Sequence, residues 1–308
     1  MIEVTNLSKR FGTTYAVNKI NMQVGAGDIY GFIGHNGAGK STTFRILATI
    51  LRPDTGTATI DGVPLSDGDR IRSLIGYMPD MFGVYEDMTV MQYLDFFGAA
   101  YFLPRQERRK LIGDILELTD LTFKKDEMVK TLSRGMSQRL GIARVLVHDP
   151  KVLILDEPAS GLDPRARIEL RELLKELAAM GKTILISSHI LSELSEICTR
   201  VGMIESGRFL FEGTRDELND RLAHLRDIKI DVHPDDRAAA LAHLQSAAYT
   251  NEVTLQENGR LFLMPHADAD RYAIAGDLTQ SGIRLGAVEP TELTLEDAFM
   301  SLSGGQLA

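Results

Sequence analysis

Residues 34–41 read GHNGAGKS, a match to G-x-x-x-x-G-K-[ST]. The apolar run Ile29 to Ile33 precedes it, and TTFRILATIL, apolar at helical spacing, follows it. Strand, loop and helix in that order make a cradle for phosphate. Glycines let backbone N–H groups wrap the anion, and the helix start adds its partial positive charge. In such a cradle Lys40 reaches the β and γ phosphates and Ser41 ligates Mg²⁺. A glycine-rich turn without nucleotide is the competing reading, and the flanking strand and helix count against it.

Roughly 115 residues further on, residues 152–158 read VLILDEP. A buried parallel strand accounts for the four apolar residues but not for adjacent acids at its end. Asp156 suits Mg²⁺, directly or through a water, and Glu157 suits a base that orients and deprotonates an attacking water.

Around these motifs strands and helices alternate, which argues a mainly parallel sheet covered on both faces, with ligands at the carboxyl ends of its strands. Short strands are expected at residues 2–7, 20–24 and 57–60. Residues 89–119 read as helical, with Thr89 as N-cap and a break at Pro104, and a further helix is expected over 138–148. After the strand 183–188, residues 190–198 read as helix. Beyond residue 226 the pattern spells β-α-β-β-α-β, a ferredoxin-like split βαβ order, with helices from about 235 to 246 and 267 to 281.

The chain of 308 residues carries a net charge of -9 and no basic stripe, which disfavours nucleic acid as a partner. The hydrophobic share of 44% belongs to an ordinary globular protein, and no window is long and apolar enough for a membrane span. A single cysteine, Cys198, excludes an intrachain disulfide and points to a reducing cytosol. The N-terminal segment carries no export or organelle signal.

Together these motifs resemble the nucleotide-binding subunit of an ABC transporter. TLSRGMSQRLGIARVL, residues 131–146, resembles the family signature and its helix, about 20 residues before the acidic strand. SGLD, 160–163, resembles the D-loop, and SSH, 187–189, the switch-histidine loop. RFG, 10–12, resembles the segment carrying the adenine-stacking aromatic, here Phe11, which also reads as a core residue. The signature start suits an anion on physical grounds too, although a plain helix cap is the bland alternative for Ser133.

The resemblance implies an α/β fold: a P-loop NTPase of ABC type, mixed sheet core plus helical subdomain (about 86–150), over residues 1–220. A small α+β accessory domain occupies 221–308. Nucleotide contacts are implied for Phe11, Gly34, Asn36, Gly37, Ala38, Gly39, Lys40, Ser41, Thr42, Ser133, Gly135 and Asp163. Metal contacts fall to Ser41, Asp156 and Asp80, and catalysis to Glu157, His189 and Lys40. ATP and Mg²⁺ are the implied cofactors. A homodimer, or a heterodimer with a related ATPase, is implied, driving a separate integral membrane permease from the cytoplasmic face of the membrane.

Two positions depart from the family. Asp80 stands where a glutamine is usual and lacks an amide to donate; Arg134 stands where the signature commonly has glycine. Both departures are shared by stand-alone subunits similar to those of daunorubicin-type drug exporters, whose C-terminal LEDAF-like helix is matched at residues 295–299. Export is the direction this branch implies. A soluble ABC ATPase acting on a cytosolic macromolecule without a permease is the alternative. The tail also contains LSGGQ, 302–306, the commoner signature form, but it follows a helix where a signature must precede one. It reads as a helix stop, with Leu302 in the last turn.

Overall fold

The computed structural model describes residues 1–189, 197–222, 227–256, 258–266, 268–291 and 295–303. It divides into two compact units, Met1–Arg215 with Leu302–Ala308, and Asp216–Ser301.

In the first unit, β1 (Ile2–Phe11) and β2 (Thr14–Val24) form a long antiparallel hairpin, and β3 (Ile29–Ile33) leads through the glycine loop into α1 (Lys40–Leu47). β4 (Thr55–Ile60) and β5 (Val63–Pro64) complete a four-stranded sheet of order β2-β1-β4-β5. After α2 (Gly68–Leu74) comes β6 (Ile75–Met78), then three helices, α3 (Val90–Ala100), α4 (Arg105–Leu118) and α5 (Arg134–Leu146). β7 (Val152–Leu155), α6 (Pro164–Ala179), β8 (Thr183–Ser188), β9 (Arg200–Glu205) and β10 (Arg208–Thr214) return to alternation. The second sheet runs β10-β9-β3-β8-β7-β6, parallel except for the β9–β10 hairpin.

Burial explains the apolar runs. Every residue of β3, β7 and β8 is buried, as central strands covered on both faces require. Phe32 of β3 anchors this core, its ring 5.5 Å from that of Phe44 and 5.3 Å from that of Phe209. Register then decides where function can sit. Met78 lies opposite Leu155, Leu155 opposite Ile186, and Ile33 opposite Ser188. The residues that follow β3, β6, β7 and β8 therefore emerge along one rim, where ligands of such sheets bind.

Cys198 is buried, and burial drives its thiol pKa far above the ordinary value. No helix among the described residues is long and apolar enough to cross a membrane.

The second unit contains most of α7 (Arg215–Arg221), then β11 (Ile228–Val232), α8 (Arg237–Ser246), β12 (Thr250–Leu255), β13 (Leu261–Pro265), α9 (Ala273–Gln280), β14 (Leu285–Pro290) and nearly all of α10 (Leu295–Leu302). Its sheet order is β12-β13-β11-β14 with antiparallel neighbours, the split βαβ arrangement expected from the pattern. The helices cover one face, closing a core around Ile230, Leu244, Leu261, Leu263, Ile274 and Leu278.

Several boundaries differ from the sequence reading. The first two strands are longer than 2–7 and 20–24, because left-handed residues Asn6 and Lys19 and shifts of register break their alternation without ending their pairing. The signature helix starts at Arg134, not 138, since Ser133 caps it by accepting the Met136 N–H at 3.3 Å. The helix expected from 267 starts at Ala273, and Ile197 and Cys198, the last two residues of the helix expected over 190–198, are not helical; residue 267, residues 190–196 and residues 304–306 lie outside the described residues. Leu302 does end a helix.

Candidate nucleotide site

The loop between β3 and α1 leaves Asn36 and Gly37 exposed and buries Gly34, Ala38, Gly39 and Lys40. Gly39 has φ 115, and a Cβ there would lie 2.3 Å from the Ala16 carbonyl oxygen, so the turn into α1 requires glycine. That helix begins without a side-chain cap and without an acid in its first turn. Its first N–H groups therefore meet no protein carboxylate at the cap, an arrangement that favours an external anion. Ser41 and Thr42 sit half-buried in the first turn.

Lys40, only 5% exposed, folds its ammonium back over the loop, donating to the Gly34 carbonyl at 2.6 Å and to that of His35 at 3.2 Å. The same nitrogen is 3.2 Å from Glu157 Oε1. Glu157 sits just beyond β7 with φ 52, a left-handed conformation unusual for a non-glycine residue. Ser187 of β8 and His189, which follows it, hold it there. The Ser187 hydroxyl accepts the Glu157 N–H at 2.9 Å, and Glu157 Oε2 accepts the His189 N–H at 3.3 Å and lies 2.7 Å from His189 Nδ1.

Asp156, 2% exposed, accepts a hydrogen bond from Ser187 Oγ at 2.7 Å. Burial raises the pKa of its carboxyl above the ordinary range; the hydroxyls of Ser187 and Ser41 oppose the shift by hydrogen bonding, while Glu157 and Asp80 add to it through like charge. Asp80 follows β6 on the exposed rim, near enough to be felt at Asp156. Lys40, Ser41, Asp80, Asp156, Glu157 and His189 thus form one electrostatic cluster. Ser187 ties the Asp156 carboxylate to the Glu157 backbone N–H, a role that the motif SSH alone did not reveal. A pair of adjacent acids needing a buried donor was the available signal.

Ser133, Gly135 and Asp163 line a different surface, a groove shared with Arg134, Gly161 and Ala166. Asp163 caps α6 by accepting the Ala166 N–H at 2.9 Å, with Pro164 at the first helical position. Phe11 is 54% exposed at the tip of the first hairpin, so its reading as a core residue is overturned. Its ring carries the Lys9 ammonium 5.8 Å from its centroid.

In chemical terms the cluster offers a cradle for a polyphosphate, oxygen donors beside it, and a carboxylate base held by a histidine. The other groove offers a helix start with a hydroxyl and close-lying backbone.

Known proteins resemble this chain over its whole length. The family model described as ABC transporter matches residues 17–160. A Nod factor export ATP-binding protein of Burkholderia lata is 38% identical over 309 residues, covering 99% of this chain and 98% of its own. A linearmycin resistance ATP-binding protein of Bacillus subtilis is 30% identical over 310 residues, covering 100% and 99%. Among solved structures, a bacterial ABC transporter cassette in dimeric form superposes with a TM-score of 0.63 at 25% identity, covering 70% of this chain and 98% of that one.

Proposed function

This chain belongs to the ABC transporter ATP-binding family, and we propose that two copies close head to tail around two ATP molecules to drive a separate membrane permease in the direction of export. ATP binding and hydrolysis are the chain's activity as a member of that family. The observation that supports the head-to-tail arrangement is the division of its site. Lys40, Ser41, Asp156, Glu157 and His189 meet at the sheet rim, whereas Ser133 and Gly135 open onto another groove. A second copy rotated by a two-fold axis supplies to each cradle the signature that its own subunit directs elsewhere. The dimeric solved structure and the export function in the name of the Burkholderia lata relative support the same reading.

Each residue then has a task. Lys40 and the loop amides bind the β and γ phosphates, and Gly34 to Thr42 and Phe11 hold the remainder of the nucleotide. Glu157 accepts the proton of the attacking water while His189 holds its carboxylate in place. Ser133, Gly135 and Asp163 complete the partner's site. The donor set of Ser41, Asp156 and Asp80 is all oxygen, which fits Mg²⁺, and that ion, when bound, neutralises phosphate charge. Asp80 acts as an acceptor only.

ATP favours closure through its stronger binding to the closed dimer, so a permease that senses closure is coupled to it reciprocally. Met81, Tyr85 and Phe96 are exposed between β6 and the end of α3, although Tyr93 and Leu94 beside them are buried. That apolar surface suits the permease contact, at the cytoplasmic face of the membrane. The second unit is an accessory domain.

The arrangement is tested by mixing two inactive variants, Ser133→Arg and Lys40→Ala. One composite site in a mixed dimer keeps both intact halves, so activity should return on mixing while neither variant turns over alone. No recovery, with mixed dimers demonstrated by cross-linking, would refute shared sites that work singly.

A pH dependence follows from the raised pKa of Asp156. Proton and metal compete for this carboxylate, so metal affinity is full above its folded pKa and falls as pH drops through it. The Mg²⁺ concentration for half-maximal activity should rise by up to about tenfold per pH unit below that point. A requirement that stays flat as pH is lowered toward the range of an ordinary carboxyl would argue against Asp156 as a ligand.

A further inference from the structure

The arginine that replaces the commoner glycine of the signature lies against the segment that follows Glu157. Arg134 is the first residue of α5, directly after the cap Ser133. Its guanidinium donates to the Ser160 carbonyl at 2.9 Å. It also lies flat on Gly161: a Cβ on that glycine would come 2.2 Å from Arg134 Cζ, and the glycine has φ 67. The Ser160 N–H in turn donates to the Glu157 carbonyl at 3.0 Å, closing a turn that begins on the proposed base. A chain of three contacts therefore runs from the signature cap to the backbone of Glu157, all within one subunit.

We propose that Arg134 is a positioning residue that clasps the 157–161 turn to the start of the signature helix. This inference rests on the composite-site reading above. In that dimer Glu157 serves the ATP held by its own subunit, whereas Ser133 serves the ATP of the partner. The clasp makes the two groups one rigid body, so a displacement of the signature by the partner's nucleotide reaches the base of the other site. A glycine at residue 134 has no side chain with which to make the tie. A bulkier residue at 161 would occupy the place where the guanidinium lies.

Two features favour a positional role over direct contact with nucleotide. Both the hydrogen bond and the packing surface come from the arginine's own subunit. The guanidinium is also engaged in the fold as it stands, and a contact with the partner's phosphate would have to displace it from the Ser160 carbonyl.

The test compares Arg134→Ala, Arg134→Lys, Gly161→Ala and the double variant Arg134→Ala with Gly161→Ala in the full chain. Steady-state ATPase and calorimetric binding of ADP are the readouts, with Lys40→Ala as the inactive reference. Losing a charged donor to a backbone carbonyl should lower kcat on the order of 5- to 20-fold. KM for ATP and ADP affinity should stay within about twofold. Lysine, which keeps a charged donor on a long stem, should restore part of the rate. Gly161→Ala should also lower kcat, and should add less in the Arg134→Ala background than alone, because the clasp is already gone.

The proposal is overturned by a kcat within twofold of wild type for Arg134→Ala. A raised KM with kcat unchanged also overturns it, since Arg134 would then bind nucleotide. So do fully additive effects of the two substitutions. Residual wild-type activity in Lys40→Ala would instead strike at the ATP-site reading itself, so the two failures remain separable.

Discussion

Glu157→Gln is expected to lower ATP turnover roughly 10²- to 10⁴-fold while leaving ATP binding intact. That corresponds to about 2.7 to 5.4 kcal/mol of transition-state stabilisation. The amide keeps the shape of the carboxylate and can still accept the His189 N–H, so the local fold survives. What is lost is the carboxylate proposed to take a proton from water. An ATP-loaded closed dimer should accumulate, because opening follows hydrolysis. Phosphate release, nucleotide binding and size-exclusion chromatography with ATP check the three parts separately. Turnover near wild type would remove Glu157 from the role of base and leave it as a structural partner of Lys40.

The second large effect concerns stability. Phe32→Ala should cost about 3 to 5 kcal/mol, the usual range for emptying a buried aromatic site. Phe32 is fully buried, two residues before the phosphate loop, in ring contact with Phe44 of α1 and Phe209 of β10. Loss of its ring opens a cavity between the strand that enters the loop and the helix that leaves it. Denaturant unfolding followed by near-ultraviolet signals of the first unit should show the loss. Because the chain has two compact units, the transition of the first must be followed by itself. A change below 1 kcal/mol would mean that the neighbouring rings close the gap by repacking. Nucleotide binding should be weakened in the folded fraction as well, since Phe44 helps to seat the start of α1.

Fold was legible wherever burial wrote itself into composition. The runs IYGFI, VLIL and TILISS are apolar or small because central parallel strands have no solvent face, and such runs read as strands for that reason. The second unit was legible from element order, which the strand pairing of its sheet matches. The first hairpin was under-read because its bulges put Asn6 and Lys19 into left-handed conformations, and a pattern with period two loses phase there. The start of the signature helix was placed late for another reason. Arg134 and Gly135 have no apolar side chain with which to announce a helical face, and the helix there is set by the Ser133 cap.

For the site, sequence could say which residue types stand together but not how they are held. Asp156 and Glu157 are neighbours in the chain; that one serine hydroxyl serves both, and that Glu157 sits in a left-handed conformation, are facts of the pairing of β7 with β8. Likewise Arg134 was visible only as a departure from a pattern. Its contact with Ser160 joins residues 26 positions apart and is made only by the fold.

The buried Cys198 makes the chain a ready background for site-directed chemistry. A thiol at 4% exposure whose ionisation is opposed by its surroundings reacts poorly with maleimides or disulfide reagents. As the chain's one cysteine, it leaves an introduced thiol at an exposed position such as Tyr85 or Phe11 as the sole target for a fluorophore or spin label. The native thiol becomes, at the same time, an internal reporter of integrity: labelling at position 198 would announce that the first unit has opened.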